Sequence, residues 1–348
     1  MKIKEDNIGQ DYAPYIIAEM SANHNGDIQN ALNIILKAKE CGASAVKIQT
    51  YKPETITLNC SSENFIIKGG LWDGRTLFDL YEEAHLPWDW HKELFDYAQV
   101  LGITLFSSPF DETAVDFLEE LNCPAYKIAS FEAVDIPLIE YAASTKKPLI
   151  ISTGMASLEE IQEAVDAAKN AGCKDLSLLH CVSSYPALAE DYNLRTISDM
   201  RQKFDTEVGL SDHTLGITTA LTSISLGASI IEKHFTLSRN GGGPDDSFSI
   251  EPDELKRLSI ESKVAWNSLG EVLYRNNKAE SSNLIFRRSI YFIKDMKKGE
   301  IISRENIKSV RPGDGLAPRM YNLILGKKLA RSVKINTPVK IEDIEKLE

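Results

Sequence analysis

The chain is short of several things that would each have directed it to a known class. It has 5 cysteines in 348 residues. Cys41, Cys60, Cys123, Cys173 and Cys181 show no C-x-x-C and no paired spacing, so reduced structural thiols are expected rather than a disulfide scaffold. No apolar run is long enough to span a bilayer, and the N-terminal MKIKEDNIGQDYAP lacks the apolar core of a signal peptide. The expectation is a cytoplasmic protein without a membrane partner. An excess of positive charge is also missing: the formal net charge is −12, which argues against a nucleic-acid partner. No internal repeat or low-complexity tract occurs, and the segment SANHNGD after the first apolar run contains no G-x-G-x-x-G dinucleotide fingerprint.

What is present is a series of eight short apolar runs. They are Tyr15 to Met20, Ala45 to Thr50, Thr104 to Pro109, Ala125 to Ser130, Pro148 to Thr153, Leu176 to Cys181, Glu207 to His213 and Ile230 to Thr236. Most are apolar early and carry charged, hydroxyl or imidazole groups at or near their ends. Strands covered on both faces lose the in/out alternation of a half-exposed sheet, so eight such runs separated by amphipathic helical patterns predict a closed parallel (β/α)8 TIM barrel. Helices are expected over Asn30 to Glu40, Glu112 to Leu121, and from a Ser157/Glu160 capping box to Gly172. A doubly wound sheet is the competing architecture.

The barrel is expected over residues 1–278, a linker over 279–286, and a small domain over 287–348. Charge divides the same way. From Arg287 onward there are fifteen Lys or Arg against eight Asp or Glu, a balance of +7 that leaves −19 for the remainder. A basic module beside an acidic barrel favours docking of the two, with a solvated basic surface as the alternative.

In such a barrel the functional groups collect at the carboxyl ends of the strands. His213 and His234 end the last two runs, on strands about 4.8 Å apart, so their imidazoles could share one ion; hydrogen-bonded structural histidines are the alternative. Ser211 shares a face with His213, and Glu232 with His234. Lys47 and Gln49 share a face at the second strand, and Lys127 precedes Ser130 and Glu132 at the fourth. Hydroxyls come from Ser107, Ser108, Ser152, Thr153 and Ser211. Buried lysines need anionic partners, so this ring suggests a bound phosphate or carboxylate, or else structural ion pairs with Glu19 or Glu132. Lys127 and Ser130 are three apart and can both face the lumen only if the strand ends or bulges between them. Glu19 and Glu132 are candidate acid/base groups. His24 follows the first strand and is a candidate for an inner or outer position around the site. His85 and His91 read as structural, and His180 lies inside the sixth strand.

Seven motifs in order, IAEMSANHNGD, AVKIQTYKPE, SSPFD, AYKIASFE, ISTGM, GLSDHT and EKHF, resemble the sialic acid synthases. Residues 287–348 are similar to the antifreeze-like (SAF) domain that follows the barrel in those enzymes. The resemblance implies condensation of phosphoenolpyruvate with an amino sugar aldehyde, with cleavage of the carbon–oxygen bond to phosphate. It implies Mn²⁺ or Mg²⁺ on His213 and His234, and phosphoenolpyruvate on Lys47, Ser108, Lys127, Ser130, Ser152 and Ser211. Glu19 and Glu132 would lie near the reacting atoms. Gln49, Tyr185, Asp245 and Arg311 would lie on the sugar side, with Arg311 supplied by the other subunit of a domain-swapped homodimer. GGPDDSF over Gly242 to Phe248, and WDGRTLFDLYEEAHLPWDWH, are similar to the subgroup that makes pseudaminic acid; the makers of legionaminic and N-acetylneuraminic acid are the alternatives. Asp246, with Ser247 and Phe248, is expected to suit a less hydroxylated, methyl-bearing sugar. A sugar-binding barrel without turnover and an ice-binding role for the small domain are the non-enzymatic alternatives.

Overall fold

A computed structural model describes residues 1–274 and 277–345. Residues 275 and 276, near the end of the segment expected to form the barrel, and the last three residues of the expected small domain lie outside the described residues. The chain divides into two compact units, Met1–Gly270 and Glu271–Glu348.

The first unit is a closed eight-stranded parallel barrel. Its strands, named here in chain order, are β1 (Tyr15–Glu19), β2 (Ala45–Thr50), β3 (Thr104–Pro109) and β4 (Tyr126–Ile128), then β5 (Leu149–Ser152), β6 (Leu176–Cys181), β7 (Glu207–Asp212) and β8 (Ile230–His234). β8 pairs with both β7 and β1, which closes the ring and removes every sheet edge. Almost every strand residue is buried, which is why the runs lacked alternation.

The helices begin where side chains can accept the orphan N–H groups of the first turn. Asp27 caps Ile28–Glu40, Asp111 caps Glu112–Glu120, and Ser157 forms a reciprocal box with Glu160 at the start of Leu158–Asn170. Each cap is worth about 1 kcal/mol. Their buried faces, such as Ala31, Ile34, Ile35 and Ala38, join the barrel core.

β4 is shorter than its apolar run. It stops at Ile128, and Ser130–Glu132 form a turn of 3-10 helix. That break resolves the parity conflict between Lys127 and Ser130.

The second unit has its own core of Ile290, Phe292, Met296, Ile302, Ile307, Ile324, Leu329, Val339 and Ile344. Its antiparallel pair is β9 (Ser289–Phe292) with β10 (Ile307–Val310), preceded by 3-10 turns over Lys278–Phe286. Among the described residues no helix is long and apolar enough to cross a membrane.

Candidate active site

Parallel register sets the site. Glu19 is the register partner of both Lys47 on β2 and His234 on β8, while Glu232 faces Ser211 on β7. Residues at one level of a parallel barrel point to the same side, so these groups converge in the lumen near the carboxyl ends of the strands.

Four buried charges form its floor. Lys47 Nζ lies 2.7 Å from Glu19 and 3.9 Å from Glu232, and Lys127 Nζ lies 3.4 Å from Glu232. Lys47 also donates to Ser108 Oγ at 3.2 Å, and Ser211 Oγ donates to Glu232 at 3.0 Å. Burial opposes both charges of the central pair. Glu19 and Glu232 outweigh it and hold the Lys47 pKa up, while Lys127 and Lys47 outweigh it and hold Glu232 down. Burial raises Glu19, against Lys47, and lowers Lys127. The lysines thus do have internal counter-ions. One is Glu19, as the sequence suggested; the other is Glu232 rather than Glu132. Parity puts Glu232 on the His234 face, and its partner Lys127 is 105 residues away in the chain.

Glu132 stands apart, in the turn after β4. Burial pushes its carboxyl up to about 7, its own backbone N–H opposing and Asp135 adding to the rise. Its Oε2 has no hydrogen-bond partner. Ser152 Oγ and His234 Nδ1 are likewise buried and unpartnered. Buried polar atoms are nearly always satisfied, so a group of unsatisfied ones around one mouth marks where a ligand supplies partners.

The hydroxyls divide by face. Ser108, Ser152 and Ser211 belong to the lumen, and Ser130 Oγ meets Ser183 Oγ at 2.7 Å. Ser107 is instead engaged by Thr50 and the Ile48 carbonyl, and Thr153 donates to the Leu179 carbonyl, so both bond within the wall. Gly154 of ISTGM takes φ +48°, and a Cβ there would lie 2.6 Å from Ser130 Cβ, which is why this turn carries glycine.

The two imidazoles meet at the last two strands, ring centres 5.4 Å apart. The backbone N–H of His213 donates to Tyr192 OH at 2.7 Å, and that phenol donates to the Ser211 carbonyl at 3.1 Å; Tyr192 thereby buttresses the turn that aims His213. Burial pushes His213 down to about 4 and His234 well below its ordinary value, so both rings are neutral at pH 7. His213 Nδ1 lies 2.8 Å from the Val182 carbonyl, which as acceptor fixes the proton on Nδ1 and leaves Nε2, 3.4 Å from Ser211 Oγ, with the lone pair. Asp245 Oδ2 lies 3.8 Å from His234 Nδ1 and accepts from the Ala22 N–H at 3.4 Å. Two neutral imidazoles fit a divalent first-row ion. Among the described residues no group of three or more His, Cys, Asp or Glu completes a ligand cluster, so further positions would fall to water and substrate.

The remaining wall is apolar. Tyr185 packs 4.3 Å from the His213 ring and 5.3 Å from Phe248, which lies 5.0 Å from His234. Gln49 donates to Glu19 at 2.9 Å and to Ser21 at 3.0 Å. Asp246 lies in the loop that carries Phe248. It is 1% exposed and turned into its own loop, where it accepts from Thr236 Oγ1, Asn25 Nδ2 and the Gly243 N–H. These bonds hold the loop that presents Phe248 to the wall.

His24 is an outer residue: its Nδ1 accepts from the Gly26 N–H at 3.1 Å and its ring meets the Trp90 edge. His91 bonds Thr50, and His180 bonds the Tyr192 carbonyl. Arg311 belongs to the second unit, exposed just after β10.

Residues 34–274 match the NeuB family model and residues 287–345 that of the SAF domain. The chain is 45% identical to a pseudaminic acid synthase of Campylobacter jejuni, over 97% of this chain and 99% of the relative. It is 45% identical to a pseudaminic acid synthase of Helicobacter pylori, over 96% and 98%. Among solved structures, an N-acetylneuraminic acid synthetase from Leptospira borgpetersenii in complex with citrate superposes with a TM-score of 0.73 at 32% identity, covering 82% of this chain and 94% of that one. With this site on a closed barrel, and with relatives matched along nearly their whole length, the chain belongs to the NeuB family and carries a C-terminal SAF domain.

Proposed function

We propose that this chain is a pseudaminic acid synthase, condensing phosphoenolpyruvate with 2,4-diacetamido-2,4,6-trideoxy-L-altrose and water to give pseudaminic acid and phosphate. The observation that carries the reading is the 45% identity over essentially the full chain to relatives bearing that name. The aromatic wall beside the two histidines supports it, since apolar faces reward the CH groups of a deoxygenated sugar.

Lys47, Lys127, Ser108, Ser130, Ser152 and Ser211 hold phosphoenolpyruvate, with Ser152 bringing an otherwise idle hydroxyl. Gln49, Tyr185 and Asp245 face the sugar. Arg311 joins them from the partner subunit of a domain-swapped homodimer. His213 and His234 hold Mn²⁺ or Mg²⁺, which when bound supplies Lewis-acid polarisation of the sugar aldehyde. As the enol carbon of phosphoenolpyruvate bonds to the aldehyde carbon, positive charge develops at the carbon bearing phosphate. Ionised Glu132 stabilises that charge and orients the water that adds there, with Glu19 fixing Lys47 and Gln49. The tetrahedral adduct then loses phosphate by carbon–oxygen cleavage, its charge received by the lysines. Such an enzyme works in the cytoplasm, where phosphoenolpyruvate is made.

The test is kcat/KM for the trideoxy sugar against N-acetylmannosamine, with and without a chelator. Because several groups differ, a preference beyond the roughly 10- to 200-fold of one apolar contact is expected. Chelation should abolish turnover and Mn²⁺ or Mg²⁺ restore it. Equal kcat/KM values would remove the subgroup assignment, and full activity under strict chelation would remove the metal.

A further inference from the structure

The loop after β2 reaches a second part of the barrel mouth. Within it, Ile66 bridges Thr76, the Ile67 N–H donates to the Arg75 carbonyl at 2.9 Å, and the Gly74 N–H donates back to the Ile67 carbonyl at 2.9 Å. These bonds make a short hairpin. Arg75 anchors its base through Glu83 and the Asp79 carbonyl, both on the helix Leu77–Ala84.

At the tip, Gly69, Gly70, Leu71, Asp73 and Gly74 are exposed, yet Trp72 is partly buried. Its indole N–H donates to the Pro244 carbonyl at 3.3 Å, and its ring lies 6.0 Å from Tyr185. Pro244 sits in the loop that Asp246 clamps from inside, so the indole docks on a firm support. Trp72, Tyr185 and Phe248 then form a continuous aromatic surface from the hairpin to the two histidines. A large ring on a hairpin tip would ordinarily be solvated. Here its N–H edge is bonded and the ring sits beside Tyr185, itself 4.3 Å from the His213 ring.

We propose that Trp72 is a specificity-determining residue, closing the sugar side of the site with an apolar face that selects a deoxygenated aldehyde over a hydroxylated one. The inference rests on the functional reading above and deepens it. A flat apolar face favours C–H and methyl groups, and it strips water from a hydroxyl without giving a hydrogen bond back.

Wild type, Trp72→Ala and Trp72→Phe are assayed with phosphoenolpyruvate and with either the trideoxy sugar or N-acetylmannosamine. Trp72→Ala should raise KM for the trideoxy sugar about 10-fold or more and lower the preference between sugars by a similar factor, the worth of an apolar contact. The KM for phosphoenolpyruvate should change less than about 2-fold, because none of its expected contacts involves the hairpin. Trp72→Phe loses the N–H bond but keeps a ring, and should retain most of the preference. An unchanged preference in Trp72→Ala, or an equal loss of kcat for both sugars, overturns the inference while leaving the functional reading intact. A wild type that turns over neither sugar overturns both.

Discussion

Glu132 is the residue whose environment most directly predicts behaviour in solution. Its carboxyl titrates at about 7, above its ordinary value of 4.5, because burial disfavours the ionised form. The contribution of this group to folding stability is therefore unchanged at low pH. It falls as pH rises from about 4.5 through 7 and then levels, a loss of up to about 3 kcal/mol for this group. Glu132→Gln should flatten that fall, as read by urea denaturation at pH 4 and pH 8. If the ionised form stabilises developing positive charge, kcat/KM in the wild type should climb to a plateau above about pH 7. The glutamine variant should lose that limb and about 10²-fold in rate. A variant with the wild-type profile would assign the charge-stabilising role elsewhere.

At the scale of elements, the loop between β8 and the following helix Pro252–Leu269 is shaped from inside by one carboxylate. Asp246 holds Thr236, Asn25 and the Gly243 N–H, and a Cβ on Gly243 would fall 1.8 Å from Asn25 Oδ1. Asp246→Ala should cost about 2 kcal/mol, since it orphans the buried Thr236 hydroxyl and releases two part-buried donors, Asn25 Nδ2 and the Gly243 N–H. It should also expose the Gly243 amide to hydrogen exchange and raise KM for the sugar through Asp245 and Phe248, which share the loop. Wild-type exchange at Gly243 would show that the clamp is dispensable.

Legibility followed from the same physics. The strands could be read because closure buries both faces, and the histidines because each ends a strand. The early stop of β4 was visible as a conflict of parity between Lys127 and Ser130. The Lys127–Glu232 pair was not, because nothing local links residues 105 apart. Nor was the aim of Asp246: a carboxylate in a loop looks the same in sequence whether it faces ligand or its own backbone. Tyr192 and Ser183 lie outside the strand ends and gave no periodic signal, although Ser183 follows β6 by two residues.

At the scale of the whole molecule, the question is where Arg311 works. Its planar guanidinium suits a bidentate contact to an amide or carbonyl oxygen, and it lies in a unit of charge opposite to the barrel. On the domain-swapped reading, Arg311→Ala and His213→Ala are each inactive alone and regain activity when unfolded together and reassembled. Random pairing gives half mixed dimers with one complete site each, hence about a quarter of wild-type activity. If the arginine serves its own barrel, no mixed dimer has a complete site and the mixture stays inactive.

The central claim is that this barrel joins phosphoenolpyruvate to a deoxygenated amino sugar with loss of phosphate by carbon–oxygen cleavage. The most direct measurement uses phosphoenolpyruvate labelled with ¹⁸O at the bridging oxygen together with the trideoxy-altrose, followed by mass spectrometry of both products. The expected result is label wholly in the phosphate and an unlabelled organic product with the mass of pseudaminic acid. Label retained in the organic product, or phosphate released without a new carbon–carbon bond, would contradict the account.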